Sequence, residues 1–222
     1  MFPDLSCDDI FRLETKRLWL RWPRASDAVA ITSFAALPAV AQMTAQIPHP
    51  YPPGEAERFV LRARADNAAG KGLILAVTQK GGTRPVIGLV SVLAGESQEI
   101  ELGYVISPAY WGKGLATEAA RAVIEASFSL TEAQRVLANS RVINPASRRV
   151  LEKCGFRHIG TGLDMLPARG GLHPCDRFAL DRKNWRASLK ARRMPAMTQQ
   201  QTPPEPLASD ASEAAAGELN SC

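Results

Sequence analysis

The residues whose types could do chemistry most directly lie in Tyr110-Trp-Gly-Lys-Gly-Leu-Ala-Thr-Glu118. Gly112 and Gly114 stand between an apolar run that ends at Ile106-Ser-Pro108 and a run with helical spacing that begins at Leu115. Glycine lets a backbone approach a ligand closely and take conformations that other residues resist. The first N–H groups of a helix have no intrahelical partner, and the helix dipole places partial positive charge beside them. The chemistry on offer is the holding of a phosphate or pyrophosphate, with Lys113 able to add a point charge at the mouth. A P-loop would need Ser or Thr after Gly-Lys, and Gly112-Lys113 is followed by Gly114. The dinucleotide fingerprint Gly-x-Gly-x-x-Gly fails at Thr117. A tight strand-to-helix turn that holds nothing uses the same glycines, so the glycines alone leave the choice open.

Such a turn needs a strand before it and a helix after it. Glu99 to Ile106 reads as the strand, and Leu115 to Leu130 as the helix, with Ala116, Ala119, Ala120, Val123, Ile124 and Phe128 at helical spacing. Upstream, Arg17-Leu-Trp-Leu-Arg21 alternates as a strand, and Ser26-Asp27 offers an N-cap to a helix over Ala28 to Leu37. The Pro-rich Ile47 to Gly54 leads to a second helix, Glu55 to Ala69. Leu73 to Thr78 and Val86 to Leu93 form a hairpin around Lys80-Gly-Gly-Thr-Arg-Pro85. Downstream come a strand over Arg135 to Val142, a helix from Pro145 to Lys153, and strands over Phe156 to Thr161 and Arg177 to Leu180. The order β-α-α-β-β-β-α-β-α-β-β predicts an α+β architecture, a mixed sheet with helices packed on it.

The 222 residues suffice for one domain with a sizeable core, and 45% hydrophobic with 22% charged residues is ordinary for a soluble globular chain. No apolar run approaches the roughly 18 residues that cross a bilayer, and no basic segment with an apolar stretch opens the chain. A cytoplasmic location is the default expectation. Residues 1–11 read as an N-terminal extension and residues 12–190 as the folded domain. Residues 191–222 read as a disordered low-complexity tail, because they hold too little apolar surface to offset their ordering entropy. Cys7, Cys154, Cys175 and Cys222 are scattered and form no disulfide framework. Cys154-x-x-x-His158 with His173-x-Cys175 matches no common zinc spacing, so no metal is expected. The net charge of +5 is concentrated in Arg177 to Arg193, which reads as a solvated helix face. Nucleic acid is not expected there, since no interleaved aromatics accompany the charge.

The wider context of the turn carries a resemblance. Glu101 to Ala119, ELGYVISPAYWGKGLATEA, resembles the coenzyme A-binding motif of the GNAT acetyltransferase superfamily. Asn144 to Phe156, NPASRRVLEKCGF, resembles the motif that follows it in that family. Leu13 to Arg21 and Pro50-Tyr-Pro52 resemble the ribosomal-protein alanine/serine N-acetyltransferase subgroup, and the likeness covers about residues 12 to 186. It implies a GNAT fold, a mixed and mostly antiparallel central sheet with helices on both faces. It implies an acetyl-CoA-dependent N-acetyltransferase whose acceptor is a protein N-terminus or a small-molecule amine, with no membrane partner and with a homodimer as an open expectation. The backbone of Tyr104, Val105 and Ile106 would line the pantetheine and polarise the thioester carbonyl. N–H groups of Gly112, Lys113, Gly114, Leu115, Ala116 and Thr117 would hold the pyrophosphate. Asn144 would reach the pantetheine arm, and Ser147 would lie near the thiol.

The chain departs from the family at Leu151, where many members place a tyrosine acid, and at Asn139, where some place a glutamate base. A non-catalytic acyl-CoA-binding module is therefore the alternative reading. Direct attack by an amine needs a proton acceptor, and Glu101 is the first candidate, with Glu99 on the same strand face in reserve. A strand-surface glutamate paired with an arginine accounts for Glu101 equally well. Ser147, or else Tyr104 or Tyr110, is the candidate donor to the thiolate, although a Ser in the first turn of a helix is often a cap. The loops around His49-Pro-Tyr51 and Arg169 to His173 are the expected acceptor-side walls.

Overall fold

The computed structural model describes residues 2–3, 10–81, 85–95 and 97–193. One eight-stranded sheet runs through it in the order β1-β2-β3-β4-β5-β6-β8-β7. β1 (Arg12–Glu14) and β2 (Leu18–Arg21) are followed by α1 (Ala28–Ala35), α2 (Pro38–Ala41) and α3 (Glu55–Ala68). β3 (Gly72–Gln79), β4 (Val86–Ala94) and β5 (Glu99–Ile106) make an antiparallel meander. α4 (Leu115–Leu130), β6 (Arg135–Arg141), α5 (Pro145–Cys154), β7 (Arg157–Leu166), β8 (Gly171–Asp181) and α6 (Arg182–Arg193) complete the order.

The sheet is covered on both faces. On one, α4 and α5 pack Leu115, Ala119, Val123, Ile124 and Leu151 against Leu102, Ile106, Val136 and Phe178. On the other, Ile31, Phe34, Ala56 and Val60 from α1 and α3 pack on Ala76, Val86 and Leu89. β3 is buried on both faces, which is why its sequence is a continuous apolar run rather than an alternation. Every ladder is antiparallel except β5 with β6, the pair that the helix α4 crosses over.

Three differences from the sequence reading have physical causes. α1 ends at Ala35, because Pro38 starts α2 and the preceding Leu37 is held extended. β7 and β8 run to Leu166 and from Gly171, so most of the segment around Arg169 to His173 is paired strand. The exposed residues that alternate along this hairpin, including Leu163 and Met165, leave no buried apolar stripe for the sequence to display. The basic run does not lie on one solvated helix face. Arg177 and Asp181 belong to β8, and Arg182 is only 8% exposed.

Phe2, in the expected extension, is buried in the main core, and its N–H lies 3.5 Å from Gly70 O. Of the expected tail, residues 194–222 lie outside the described residues, as does Cys7. Cys154 packs with the α4–α5 core, whereas Cys175 is on the opposite face of β8 from Phe178. The suggested zinc ligands therefore do not converge. Among the described residues no helix is long and apolar enough to cross a membrane.

Candidate active site

The parallel pairing of β5 with β6 is short. Glu99, Ile100 and Glu101 pair with Arg135, Val136 and Leu137, and the register ends there although both strands continue. β6 stays paired with β8 along its whole length, and β5 stays paired with β4. The two halves of the sheet thus separate after Glu101. Ser107 N–H donates to Ile87 O and Gly95 N–H to Glu99 O, at 2.8 and 2.9 Å. Backbone groups alternate sides along a strand, so Glu99, Glu101, Gly103 and Val105 turn their peptide groups toward β4. Leu102, Tyr104 and Ile106 turn theirs into the gap. Of the three residues expected to offer backbone groups, Tyr104 and Ile106 do, while those of Val105 belong to the β4 ladder.

The gap opens at the glycine turn. Gly112 and Gly114 both sit at φ +74°, in the left-handed region. No side chain caps α4, and its first intrahelical bond is Glu118 N–H to Gly114 O at 3.1 Å. The N–H groups of Leu115, Ala116 and Thr117 are therefore without intrahelical acceptors at the positive end of a 16-residue helix. A Cβ at Gly112 would meet nothing within 4 Å, so the surface above the turn is open. Lys113 is exposed, with Nζ on Ala109 O at 3.0 Å and 5.2 Å from the Tyr110 ring centre. The Trp111 indole N–H donates to Ile106 O at 2.6 Å and ties the turn to the end of β5.

Thr15, Arg17 and Glu118 brace this turn. The Arg17 guanidinium donates to Lys113 O at 2.9 Å and to the Glu118 carboxylate at 2.6 Å. Thr15 Oγ1 and the Arg17 N–H also donate to Glu118, at 2.6 and 2.8 Å. Burial would raise the Glu118 carboxyl, but these hydrogen bonds together hold it below the usual carboxylate range. The contacts join residues a hundred positions apart, which explains why no local pattern announced them.

Deeper in the gap, side chains alternate across β5. Tyr104 lies on the α4–α5 side, where its hydroxyl is 2.8 Å from Ser147 Oγ and 3.1 Å from Ser147 O. Burial raises the Tyr104 phenol well above its ordinary value, so it remains a proton donor. Asn144 caps α5, its side-chain oxygen accepting from Ser147 N–H at 3.0 Å. That bond fixes Ser147 at the hydroxyl pair and, among the described residues, leaves the Asn144 amide nitrogen free to donate.

Glu101 lies on the opposite face, the side covered by α1 to α3, together with Asn139 and Arg177. It is an exposed residue, yet partial burial of its carboxylate, with the charge of Asp164 adding, raises its pKa. It forms no ion pair among the described residues, so the expected arginine partner goes instead to Glu99, which Arg135 meets at 3.2 Å. Asp164, on β7, is the carboxylate that sequence reading missed. Arg177 holds one of its oxygens, and the other is buried without a hydrogen-bond partner. Asp164 falls within the hairpin that read as a loop, which hid its side of the sheet.

Leu151 is fully buried core and Asn139 is an exposed strand residue beside Arg177. His49 is exposed in the Pro-rich connection, while His173 Nε2 lies 3.2 Å from Arg169 O and Nδ1 3.5 Å from Arg141. The site thus has an anion seat, a gap between strands, a hydroxyl pair on one face and two carboxylates on the other.

Comparison with known proteins gives this arrangement a context. A family model described as an acetyltransferase (GNAT) domain matches residues 17–157. The chain is 32% identical over 87 residues to an FsC-acetyl coenzyme A-N(2)-transacetylase of Aspergillus fumigatus, covering 38% of this chain and 37% of that protein. Alignments with the first three curated relatives span 37%, 41% and 55% of their lengths. Among solved structures, ribosomal-protein-S5-alanine acetyltransferase from Vibrio fischeri superposes with a TM-score of 0.67 at 22% identity, covering 79% of this chain and 98% of that one. RimJ of Mycobacterium smegmatis in complex with CoA-disulfide gives a TM-score of 0.69 at 21% identity, covering 86% and 97%. At these identities the structural likeness establishes the fold.

Proposed function

Since the chain belongs to the GNAT acetyltransferase family, we propose that it transfers an acetyl group from acetyl-CoA to a primary amine by direct attack in a ternary complex. The observation that carries this reading is the gap between β5 and β6, which joins the uncapped N-terminus of α4 to proton donors on one face and carboxylates on the other. The residues present suit the coenzyme. Glycines at 112 and 114 leave room above the turn, three N–H groups face a pyrophosphate, and the free donor of Asn144 suits an amide-bearing arm. When bound, acetyl-CoA supplies the activated acyl group.

The chain's own groups then divide the work. Peptide N–H groups of Tyr104 and Ile106, turned into the gap, stabilise negative charge on the thioester oxygen. The Tyr104–Ser147 hydroxyl pair supplies the proton that the departing thiolate needs. Glu101, helped by Asp164, takes the proton that the amine loses on the other face. A tyrosine at 151 and a glutamate at 139 are thereby replaced from other elements, which favours the enzyme over the binding module. The acceptor is a protein N-terminus or a small-molecule amine. A free α-amine with pKa about 8 is roughly a tenth neutral at pH 7, so a modest base suffices for it.

Release of free thiol from acetyl-CoA in the presence of a panel of peptides and small amines tests the reading. Saturable acetyl-CoA binding without turnover on any amine would favour the module instead. For Glu101, the sign of the pH effect follows from its raised pKa. The base form is lost as pH falls through a value above the usual carboxylate range. After division by the neutral fraction of the amine, wild-type kcat/KM should still decline at that acid limb. Glu101→Gln should remove the limb and slow transfer about 100-fold. An unaltered profile would move the base to Asp164.

A further inference from the structure

We propose that the acceptor carries an anionic group, a carboxylate or a phosphate, close to its amine, and that Arg141 and Arg169 bind it. This rests on the acetyl-transfer reading above and names the class of acceptor.

Arg141 follows Asn139 on the same face of β6, one residue pair beyond it, and its cross-strand partner is Cys175. Through one terminal nitrogen it donates to Gln42 O, and the other lies 3.5 Å from His173 Nδ1. Arg169, in the turn between β7 and β8, donates to Ile47 O, and its own carbonyl is 3.2 Å from His173 Nε2. His173 is the cross-strand partner of Asp164. The Arg141 guanidinium, His173 and Asp164 are therefore contiguous on the face that holds Glu101, and Arg169 adjoins them through its carbonyl at His173. They form the wall against which the segment from Gln42 to Ile47 is strapped.

The charge on this wall is unbalanced. Arg17, Arg21, Arg148 and Arg177 each meet a carboxylate within ion-pair distance. Among the described residues neither Arg141 nor Arg169 does, although both are partly buried. Their partners are neutral carbonyls and a histidine, which satisfy single N–H groups without neutralising the cation. The Nε of each is also buried with no hydrogen-bond partner among the described residues. A guanidinium removed from water without a counter-ion is unfavourable, and an unmet buried donor adds to that. The neighbouring Asp164 Oδ2 is a buried acceptor without a donor. One acceptor and two cationic donors that are unmet among the described residues are the complement of a molecule that bears an ammonium and an oxyanion. Neighbouring positions on one strand face are about 7 Å apart, the reach of a small zwitterion.

Two matched pairs of acceptors test this: an amino acid against its amide, and an aminoalkyl phosphate against the corresponding amino alcohol. The anionic member of at least one pair should be used about 10- to 100-fold better, as a charged hydrogen bond of about 1.5–3 kcal/mol implies. The pair that shows it tells carboxylate from phosphate. Arg141→Gln and Arg169→Gln remove the charge and keep a polar amide at the depth of the guanidinium Nε, giving up the terminal bonds to the Gln42 and Ile47 carbonyls. They should raise KM for the anionic acceptor about tenfold or more, leave kcat and the uncharged acceptor nearly unaltered, and be partly rescued by Lys. Indifference of the wild type to the anion, or equal losses on both members of a pair, would overturn the proposal. If no member is acetylated, calorimetric binding of an N-acetyl amino acid and of an N-acetylaminoalkyl phosphate decides. Either one binding to wild type but not to the Gln variants supports the proposal, and neither binding overturns it. Coenzyme A is titrated in parallel: failure there sinks the acetyl-transfer reading, whereas normal coenzyme binding without anion discrimination sinks this inference alone.

Discussion

Gly114→Glu should abolish coenzyme A binding while the protein stays folded. Gly114 is at φ +74°, where a residue with a Cβ is strained by about 1–2 kcal/mol. A Cβ there would meet the Arg17 guanidinium at 3.6 Å, an ordinary contact, so the fold has room for the side chain. What it does not have is room for a second anion. The glutamate carboxylate would sit at the three N–H groups that the pyrophosphate needs and would satisfy them itself. Isothermal titration should show affinity reduced at least 100-fold, about 2.7 kcal/mol, with an unaltered circular dichroism spectrum. A folded variant that binds normally would remove the turn from the coenzyme site. Gly114→Ala separates the two causes, because it adds the backbone strain without the charge and should be the milder change.

The second large effect is on stability and lies far from the chemistry. Arg182 is 8% exposed and donates to Ala133 O and Phe128 O at 2.7 and 2.6 Å, and also to Thr131 O. These carbonyls belong to the end of α4 and the turn after it, where the helix leaves acceptors unmet and the dipole is negative. The guanidinium also lies 5.1 Å from the Phe128 ring centre. Burial lowers its pKa, with Arg186 adding, yet arginine stays charged. Arg182→Met keeps an unbranched stem without the guanidinium and strands three buried acceptors. Unfolding in urea should show a loss of about 3–5 kcal/mol, a large share of the stability of an ordinary domain. The melting temperature should fall by roughly 10 °C. A loss below about 1 kcal/mol would mean that water replaces the guanidinium. Arg182→Lys can serve fewer of the carbonyls and should fall between.

Much of this molecule was legible before its structure. The glycine turn, the strand before it and the helix after it are local features, and local patterns report them. The apolar run Leu73 to Thr78 and the spacing of Ala119, Val123 and Ile124 mark buried faces directly. The proposed coenzyme seat is likewise local, since most of it is one continuous segment from β5 to α4. The proposed acceptor end draws on β5, β6, β7, β8 and the loop after α2, and its contacts span long sequence separations. Asp164 lies in a strand whose residues are mostly exposed, and Arg141 ends a regularly alternating strand, so the hydrophobic period gives neither side chain a role. The basic run misled for a related reason. Charge density in a sequence does not distinguish solvated lysines from an arginine such as Arg182, whose partners are distant carbonyls.

The short pairing of β5 with β6 has a mechanical consequence. Five strands form one leaf and three the other; among the described residues a ladder of three residue pairs joins their edges, beside the packing of α4 and α5 and side-chain contacts such as Arg135 with Glu99. A molecule lodged between them acts as a staple, because its hydrogen bonds to one leaf and its contacts with the other must break before the leaves part. Its binding free energy is added to the resistance of the whole sheet to opening. Amide hydrogens at the seam, in Leu102, Tyr104 and Ile106, should exchange with solvent far more slowly once the staple is in place.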